Sequence, residues 1–264
     1  MKNISIFQVD SFTNKPFFGN PAGVCILQAP VDADWMQKVA REMNLSETGF
    51  LHRKDEGFSL RWFTPDVEVD LCGHATLASV HILWEEGMLR DDENAVFHTK
   101  SGILTARKLE DWIELNFPTD PEREAAPPEG LLDALGAEAE YVGKNSSDFL
   151  VEVASEEAVR ALAPDFTLLK TIPARGIMVT SVSESKEYDF ISRFFAPAVG
   201  VNEDPVTGSA HCCLGPYWMN RLGKKECTAY QASARGGVIK IRVEGDRALL
   251  KGQAVKVFHG YMDA

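Results

Sequence analysis

The residues Arg61-Trp-Phe-Thr-Pro-Asp-Val-Glu-Val-Asp-Leu-Cys-Gly-His-Ala75 form a pattern that recurs later in the chain. The second copy begins at Arg193 and reads Arg-Phe-Phe-Ala-Pro-Ala-Val-Gly-Val-Asn-Glu-Asp-Pro-Val-Thr-Gly-Ser-Ala210. Both copies share an Arg, an aromatic residue, a Phe, a Pro two positions later and two alternating Val residues. The two arginines are 132 positions apart (193 − 61), which is half of the 264 residues. The repeat therefore predicts two similar halves.

An apolar helix is predicted after each copy. Residues 73–87 and 208–223 offer almost no polar face, and each stretch ends on a Gly, which is typical of a helix C-terminus. Short strands separated by turn signals precede and follow both helices. The predicted fold class is therefore α+β, with two pseudo-symmetric lobes that each wrap a curved, mostly antiparallel sheet or barrel around a central apolar helix.

Linker composition places the boundary between the lobes. Residues 118–128 are rich in Pro and in charge, so we expect an N-terminal lobe of residues 1–117 and a C-terminal lobe of residues 118–264. The last residues, about 255–264, form a segment that can pack back onto the N-terminal lobe. The active site is expected in the cleft between the lobes.

The composition argues against several classes of partner. A net charge of −12 and a pI near 5.0 disfavour nucleic acid and anionic membrane surfaces, because phosphates and lipid headgroups would be repelled. The first residues do not resemble a signal peptide, and no apolar run reaches the roughly 18 residues that span a bilayer. Five cysteines, two of them adjacent, do not suggest a disulfide framework. We therefore expect a cytoplasmic protein.

Each repeat brings a Gly, Gly73 or Gly208, to the first turn of its predicted helix. The amides of a first turn have no intrahelical partner, and the helix dipole adds about half a positive charge there. Each helix start can therefore bind one carboxylate or phosphate. Two such sites related by duplication would face each other across an interdomain cleft and hold a small anion. The alternative is that both glycines serve packing alone.

Titratable or hydrogen-bonding residues flank these helix starts, namely Cys72, His74, Asp204, Thr207 and Ser209. An imidazole can act as an acid or a base near neutrality. A single His at a helix start is more often a capping or packing residue. Convergence of His74 with Asp204 and an inward-facing carboxylate is instead typical of proton abstraction and return on a small carboxylate.

Glu47 is the candidate for the inward-facing carboxylate. If residues 44–51 form a strand whose leucines point to the core, Glu47 points there too. An inward carboxylate without a partner costs on the order of several kcal/mol, so such a residue is seldom kept without use. In the opposite phase Ser46, Thr48 and Phe50 face inward and Glu47 is solvated. The pattern alone leaves both phases open.

Five motifs stand in order along nearly the whole chain: Gly19-Asn-Pro-Ala-Gly23, Ser46-Glu-Thr-Gly-Phe50, Phe63-Thr-Pro65, Asp70-Leu-Cys-Gly-His-Ala-Thr-Leu-Ala78 and Glu203-Asp-Pro-Val-Thr-Gly-Ser-Ala210. Together they resemble the phenazine-biosynthesis isomerase (PhzF-like) family. The resemblance implies the diaminopimelate epimerase fold, in which two similar lobes each curve a sheet around a central helix. This agrees with the fold class that the repeat predicts.

The resemblance also implies roles for single residues. Glu47 would carry the proton with His74 and Asp204 assisting, while Gly73 and Ser209 would hold the substrate carboxylate. The remaining candidate substrate-binding residues lie in the same motifs and are Asn20, Cys72, Thr207 and Gly208. Neither a cofactor nor a metal is expected, the ligand would be a small anionic metabolite, and the resemblance points to a homodimer.

A missing cysteine separates two reaction types. Relatives of this fold that racemise or epimerise amino acids use two cysteines as opposed acid and base. This sequence has Cys72 at the first position but Pro205 at the second, and Pro cannot transfer a proton. The sequence therefore favours an isomerase that moves a proton within its substrate, by a double-bond shift or a tautomerisation, over an amino-acid racemase or epimerase.

The residues at the helix starts are open to three rival interpretations. A metal centre could draw on Cys72, His74, His211, Cys212 and Cys213, although their spacing matches no zinc pattern and the last two are expected to serve packing. Cys72 could be a nucleophile whose thiolate the helix start stabilises. A metabolite-binding protein with an epimerase-like cleft would keep the site without turnover.

Overall fold

The computed structural model describes residues 4–262, which divide between two compact units. The first unit takes in the chain up to Phe117 and from Lys251 onward, and the second is Pro118–Leu250. The elements in chain order are β1 (Ile4–Ser11), β2 (Asn20–Ile26), α1 (Ala33–Met43), β3 (Glu47–Lys54), β4 (Gly57–Phe63), β5 (Glu68–Val69), α2 (Gly73–Glu85), β6 (Ala95–Thr99), β7 (Gly102–Leu109), β8 (Trp112–Pro118), β9 (Arg123–Glu124), α3 (Leu131–Leu135), β10 (Tyr141–Lys144), β11 (Asp148–Glu152), α4 (Glu156–Ala161), α5 (Phe166–Leu169), β12 (Gly176–Val182), β13 (Phe190–Ala196), β14 (Val201–Asp204), α6 (Gly208–Leu222), β15 (Glu226–Gln231), β16 (Gly237–Glu244), β17 (Arg247–Gly252) and β18 (Ala254–Met262).

The first unit is built on a mostly antiparallel sheet. β2 runs parallel to β3, and β3 pairs antiparallel with β4. β4 pairs antiparallel with β5 and parallel with β6, after which β6, β7 and β8 follow one another antiparallel. β1 lies antiparallel between β2 and β18, so the last strand of the chain belongs to the first unit.

The second unit repeats this pairing order strand by strand. β11 runs parallel to β12, β12 pairs antiparallel with β13, and β13 pairs antiparallel with β14 and parallel with β15. β15 continues antiparallel to β16, and β10 lies antiparallel between β11 and β9. The sequence repeat is therefore a duplication of one sheet-and-helix unit, and the predicted α+β fold class is confirmed.

Each unit has one apolar helix that its sheet covers. Ten of the thirteen residues of α2 are buried, and the helix packs against β1, β2, β3 and β18. Nine of the fifteen residues of α6 are buried, and this helix packs against β15 and β16. Burial of each Leu or Ile side chain in these helices stabilises the fold by about 1.5–3 kcal/mol. No helix within residues 4–262 is both long and apolar enough to cross a membrane.

The shared Arg of the repeat makes the same contacts in both copies. Arg61 binds the carboxylate of Glu68 through Nε and Nη2, at 2.7 and 2.8 Å, and its guanidinium lies 5.2 Å from the centre of the Phe63 ring. Arg193 binds Glu203 in the same bidentate way, at 2.7 and 2.9 Å, and lies 4.9 Å from the ring of Phe195. Each arginine thereby fixes the strand that leads towards the start of its buried helix.

Replacing Arg193 by Met should lower the free energy of unfolding by about 2 kcal/mol, because the half-buried carboxylate of Glu203 then loses its partner. The Leu162 carbonyl, which accepts from Nη1 at 2.7 Å, would also lose its donor. Urea unfolding followed by tryptophan fluorescence measures the change. The matched control is Arg90→Met, since Arg90 and Asp92 are both about 80% exposed and their pair should contribute under about 0.5 kcal/mol. Equal losses in the two variants would contradict this account.

Candidate active site

Glu47 is the first residue of β3 and points towards α2. It shares a face of the strand with Gly49 and Leu51, and a side chain at Gly49 would come within 2.7 Å of Ser79 in α2. The opposite face, with Phe50, is also buried, because it packs against the residues of α1. β3 is therefore covered on both sides, so an inward-facing Glu47 and an inward-facing Phe50 do not exclude each other. The Glu47 side chain is 19% exposed.

His74, the second residue of α2, gathers three of the predicted side chains. Its Nε2 lies 3.1 Å from Oε2 of Glu47, which is an ion-pair distance, although the N–H direction is not aligned for a hydrogen bond. Its Nδ1 lies 3.2 Å from the amide nitrogen of Asn20 and 3.6 Å from the sulfur of Cys72. The Ser11 hydroxyl donates to the His74 carbonyl at 2.8 Å. The ring is 4% exposed and held at both nitrogens.

Asn20 lies against the imidazole, and its predicted role in substrate binding stays a prediction. An amide group can turn either its nitrogen or its oxygen towards a ring nitrogen, so Asn20 can serve a neutral or a protonated His74. It sits at the start of β2, where it pairs with Ser11 of β1. Asn20 and Ser11, at the two ends of the β1–β2 loop, therefore both contact His74.

Electrostatics favour a charged His74 beside Glu47. Burial opposes the imidazolium, but negative charge on Cys72 and on Glu47 outweighs it and holds the pKa of His74 well above 6.5. Burial raises the pKa of the Cys72 thiol, and the Glu47 charge raises it further. The thiol is therefore protonated near neutrality, and Glu47 is the negative charge that then remains beside His74.

The charges around Cys72 bear on two of the rival interpretations. The helix start does not produce a Cys72 thiolate at neutral pH, because burial dominates the pKa of this thiol. Within residues 4–262, the donor atoms of Glu47, Cys72 and His74 lie within 4.8 Å of one another and form the one group near enough to share a metal ion. Cys72 would have to give up a strongly held proton to join it.

The second copy presents a hydrogen-bonded set rather than a charged pair. The Thr207 hydroxyl donates to the carboxylate of Asp204 at 2.5 Å. Gln231 joins them, because its amide nitrogen donates to the Asp204 carbonyl at 2.7 Å and its amide oxygen accepts from the Thr207 amide at 2.8 Å. The predicted residues Asp204 and Thr207 are thus brought together, beside Gly208 and Ser209 at the start of α6.

Two residues near Ser209 were not found from the sequence. The Ser209 hydroxyl accepts from Nη2 of Arg175 at 3.2 Å, and Arg175 makes a bidentate ion pair with the fully buried Asp148. Asp148 is the first residue of β11, and Arg175 comes just before β12. Only the parallel pairing of these strands, which aligns Asp148 with Gly176, brings them together. No motif in the sequence indicates that alignment.

Strand register shows what the second copy has in place of Glu47. Phe50 pairs with Arg61 in the first unit, and Val179 pairs with Arg193 in the second. Glu47 lies three residues before Phe50, and Gly176 lies three residues before Val179, so Gly176 occupies the position of Glu47. The second copy therefore lacks the carboxylate that contacts His74, and Ser209 replaces the imidazole one residue after the Gly of the helix start.

The remaining cysteines and His211 of the second helix are core residues. Burial lowers the pKa of His211 to about 4, and its Nδ1 donates to the Thr207 carbonyl at 2.8 Å. Burial also raises the pKa of Cys212 to about 12, and it raises that of Cys213 as well. Both thiols are buried, which agrees with a packing role.

Comparison with known proteins supports the interpretation of the fold. A family model described as phenazine biosynthesis-like protein matches residues 9–260. An uncharacterized isomerase of Halalkalibacterium halodurans is 59% identical over 258 residues, which cover 97% of either chain. A crystal structure of a PhzF-family phenazine biosynthesis protein from Enterococcus faecalis superposes with a TM-score of 0.95 at 36% identity, covering 99% of this chain and 100% of the other. A predicted epimerase from Pseudomonas aeruginosa, at 19% identity and a TM-score of 0.76 over 99% of both chains, shows a common fold alone.

Duplicated sheet-and-helix units of this kind define the diaminopimelate epimerase-like fold, in which the solved relatives include PhzF-family proteins and an epimerase. Within that fold class, the chain belongs to the phenazine biosynthesis-like (PhzF) family. The family that the five motifs indicated is thereby confirmed. Two of its similar relatives, from Halalkalibacterium halodurans and Pseudomonas aeruginosa, are named uncharacterized isomerases.

His74 and His211 should titrate in opposite directions from an ordinary histidine. His74 should stay protonated above pH 6.5, so the stability it contributes is fully present below pH 6.5 and is lost as the pH rises through its higher folded pKa. His211 should stay neutral down to about pH 4, so it makes the fold less stable as the pH falls from about 6.5 to about 4. Nitrogen-15 NMR of labelled histidines measures both. A His74 ring that is neutral at pH 6.5 would contradict the charge assignment.

Proposed function

We propose that the protein is an isomerase that moves a proton within a small carboxylate-bearing substrate without a cofactor, by a double-bond shift or a tautomerisation. Glu47 is the acid and base, and His74 assists it. The observation that carries the proposal is the 3.1 Å approach of the Glu47 carboxylate to an imidazole that is itself held by Asn20 and Cys72. A partly exposed carboxylate fixed in this way can face a substrate in one orientation.

The proposed step breaks a C–H bond next to the substrate's unsaturated system. Glu47 takes the proton, and the electron pair shifts along the conjugated carbons. The protonated carboxyl group, which is partly exposed and so exchanges with solvent in a fraction of turnovers, then returns a proton to a different carbon, so no electrons enter or leave. The charged His74 keeps the Glu47 carboxylate in position and stabilises it before and after the transfer. Nothing in this sequence of steps requires a second base.

The helix starts support binding of a carboxylate. The first residue of α2 is Gly73 and that of α6 is Gly208, and in neither helix does the N-cap side chain bond the first-turn amides. By contrast, Asp32, Ser155 and Asp165 cap α1, α4 and α5. Amides that no side chain caps are suited to a ligand carboxylate. The assignment of Gly73, Cys72, Thr207, Gly208 and Ser209 to substrate binding is part of this proposal, as is the assistance of Asp204.

Two alternatives fit the fold less well. An amino-acid racemase or epimerase would need a second acid or base opposite the first, and the residue that matches Cys72, directly before the Gly of the second helix start, is Thr207 rather than a cysteine; the sequence comparison placed Pro205 there, which is wrong by two positions. A metabolite-binding protein would have no use for a carboxylate held at ion-pair distance from a buried histidine. Such a protein would bind a carboxylic acid but would not exchange its carbon-bound hydrogen.

Replacing Glu47 by Gln should abolish proton exchange. Wild-type protein in deuterium oxide, incubated with a panel of small unsaturated carboxylic acids, should incorporate deuterium at carbon in at least one of them, as proton NMR would show. Glu47→Gln should slow this exchange about 100-fold or more, because the general base is lost while the shape is kept. Glu85→Gln, at an exposed ion pair with His81, is the control and should exchange at the wild-type rate.

Each result of this assay has a consequence. Exchange in Glu47→Gln at the wild-type rate would refute Glu47 as the proton carrier. Acids that bind wild-type protein but never exchange would favour the metabolite-binding alternative.

Cys72→Ser should retain most of the exchange activity, within about 10-fold of wild type, because the protonated thiol takes no part in the proposed proton transfer and Ser keeps a polar group beside the substrate. The variant tests the nucleophile interpretation with the same NMR assay. If Cys72→Ser were as inactive as Glu47→Gln, a thiol step would have to be added. Cys212→Ser, at a buried position in α6, serves as the matched control for general effects of thiol removal.

The remaining predictions concern partners and location. A small anionic metabolite as ligand is part of the proposal, and the net charge of −12 supports the view that nucleic acid and membranes are not partners. Cytoplasmic location and a homodimer stay predictions. Light scattering of the purified protein would measure the assembly state directly.

A further inference from the structure

Arg175 is fixed on three sides beside the start of α6. Its Nε donates to Asp148 at 2.9 Å and its Nη2 binds the other carboxylate oxygen. Its guanidinium also lies 5.7 Å from the ring centre of Phe194. From this position Nη2 reaches the hydroxyl oxygen of Ser209 at 3.2 Å. A guanidinium is a rigid planar fork, so its contacts with Asp148 and Phe194 determine where its remaining N–H groups point.

The second copy differs from the first in the residues that surround this arginine. A side chain at Gly176 would come within 2.3 Å of the Phe194 ring, so the ring fills the space that Glu47 occupies at the equivalent position of the first copy. Asp148 is 0% exposed, and a buried carboxylate requires a partner of opposite charge. The Phe194 ring therefore both fills the space at Gly176 and lies against the guanidinium of Arg175.

The contact with Arg175 decides what the Ser209 hydroxyl can do. Its oxygen accepts the Nη2–H, and no group within residues 4–262 takes the hydroxyl proton in a hydrogen bond. A hydroxyl has one proton to donate, so Ser209 is left as a donor towards the start of α6. We propose that Arg175 is a positioning residue that holds Ser209 as a hydrogen-bond donor to the substrate carboxylate. This inference rests on the proposed function only in taking a carboxylate as the ligand.

The surrounding charges favour a singly charged carboxylate over a phosphate. Asp148 balances the charge of Arg175, and Asp204 and Asp120 also act on the guanidinium. The region therefore offers oriented donors but no surplus of positive charge. A dianion would meet repulsion from Asp204, whereas a planar monoanion can use the donors.

Calorimetric titration with benzoate, a planar monoanion, tests the role of Arg175. The comparison ligands are benzamide, which is uncharged, and phenyl phosphate, which carries about two negative charges. Wild-type protein should bind benzoate more tightly than either. Arg175→Lys keeps a positive charge beside Asp148, so the protein should fold, but an ammonium group cannot hold Asp148 and Ser209 in the same fork. Benzoate affinity should fall about tenfold in this variant, as expected when one oriented hydrogen bond to a charged group is lost.

A double-mutant cycle separates positioning from a structural effect. Ser209→Ala should also lose about tenfold, and adding Arg175→Lys to it should cost less than about twofold more, because the arginine acts through the hydroxyl. Arg221→Lys is the matched control: its side chain is as exposed as that of Arg175 and pairs with Glu152, and it should leave benzoate affinity unchanged. Circular dichroism confirms that each variant is folded.

The results of the benzoate titrations are independent of the deuterium-exchange assay that tests the proposed function. Independent, additive losses from Arg175→Lys and Ser209→Ala would overturn the inference, as would wild-type affinity in Arg175→Lys or tighter binding of phenyl phosphate. So would failure of benzoate to bind wild-type protein. None of these depends on Glu47. If Arg175 controlled benzoate binding while Glu47→Gln left deuterium exchange intact, the inference would stand and the proposed proton carrier would fall.

Discussion

The structure depends on a constraint set by two helices that are buried along most of their length. A helix with apolar contacts on nearly every side has only its ends available for polar chemistry, and its N-terminal end carries unpaired amides and a partial positive charge. α2 and α6 both meet this condition, and the repeated Arg–Glu pairs fix the strands that lead to them. The candidate catalytic and binding residues therefore gather where each helix begins.

The two copies place different polar residues at the starts of their buried helices. In the first, the half-buried Glu47 and the buried His74 form an ion pair, which is the proposed proton carrier. In the second, Gly176 stands in place of the carboxylate, the Phe194 ring fills the space beside it, and Arg175 binds Ser209, which stands in place of the imidazole. Duplication followed by such divergence explains how one supersecondary unit can provide both a proton carrier and oriented donors. It also explains why one base suffices in the proposed reaction.

The sequence revealed the repeat, the two apolar helices and the family because each depends on residues close together in the chain. His74 and Asp204 were predicted as site residues for the same reason, since both lie within four residues of a motif Gly. Arg175 and Asp148 were not found, because a parallel strand pairing joins positions 27 residues apart without leaving a local pattern. The orientation of Glu47 was ambiguous for a different reason: both faces of β3 are covered, so alternation of polar and apolar residues carries no information there.

The most direct test of the central claim follows a single proton. A carboxylic acid found to exchange with solvent would be deuterated at the reacting carbon and turned over once, in ordinary water, by excess protein. If one carboxylate removes and returns the proton, a measurable fraction of the product should carry deuterium at the new carbon, and Glu47→Gln should form no product. Product wholly free of deuterium, together with a Cys72→Ala variant that is as inactive as Glu47→Gln, would contradict the account, because two different groups would then be removing and delivering the proton.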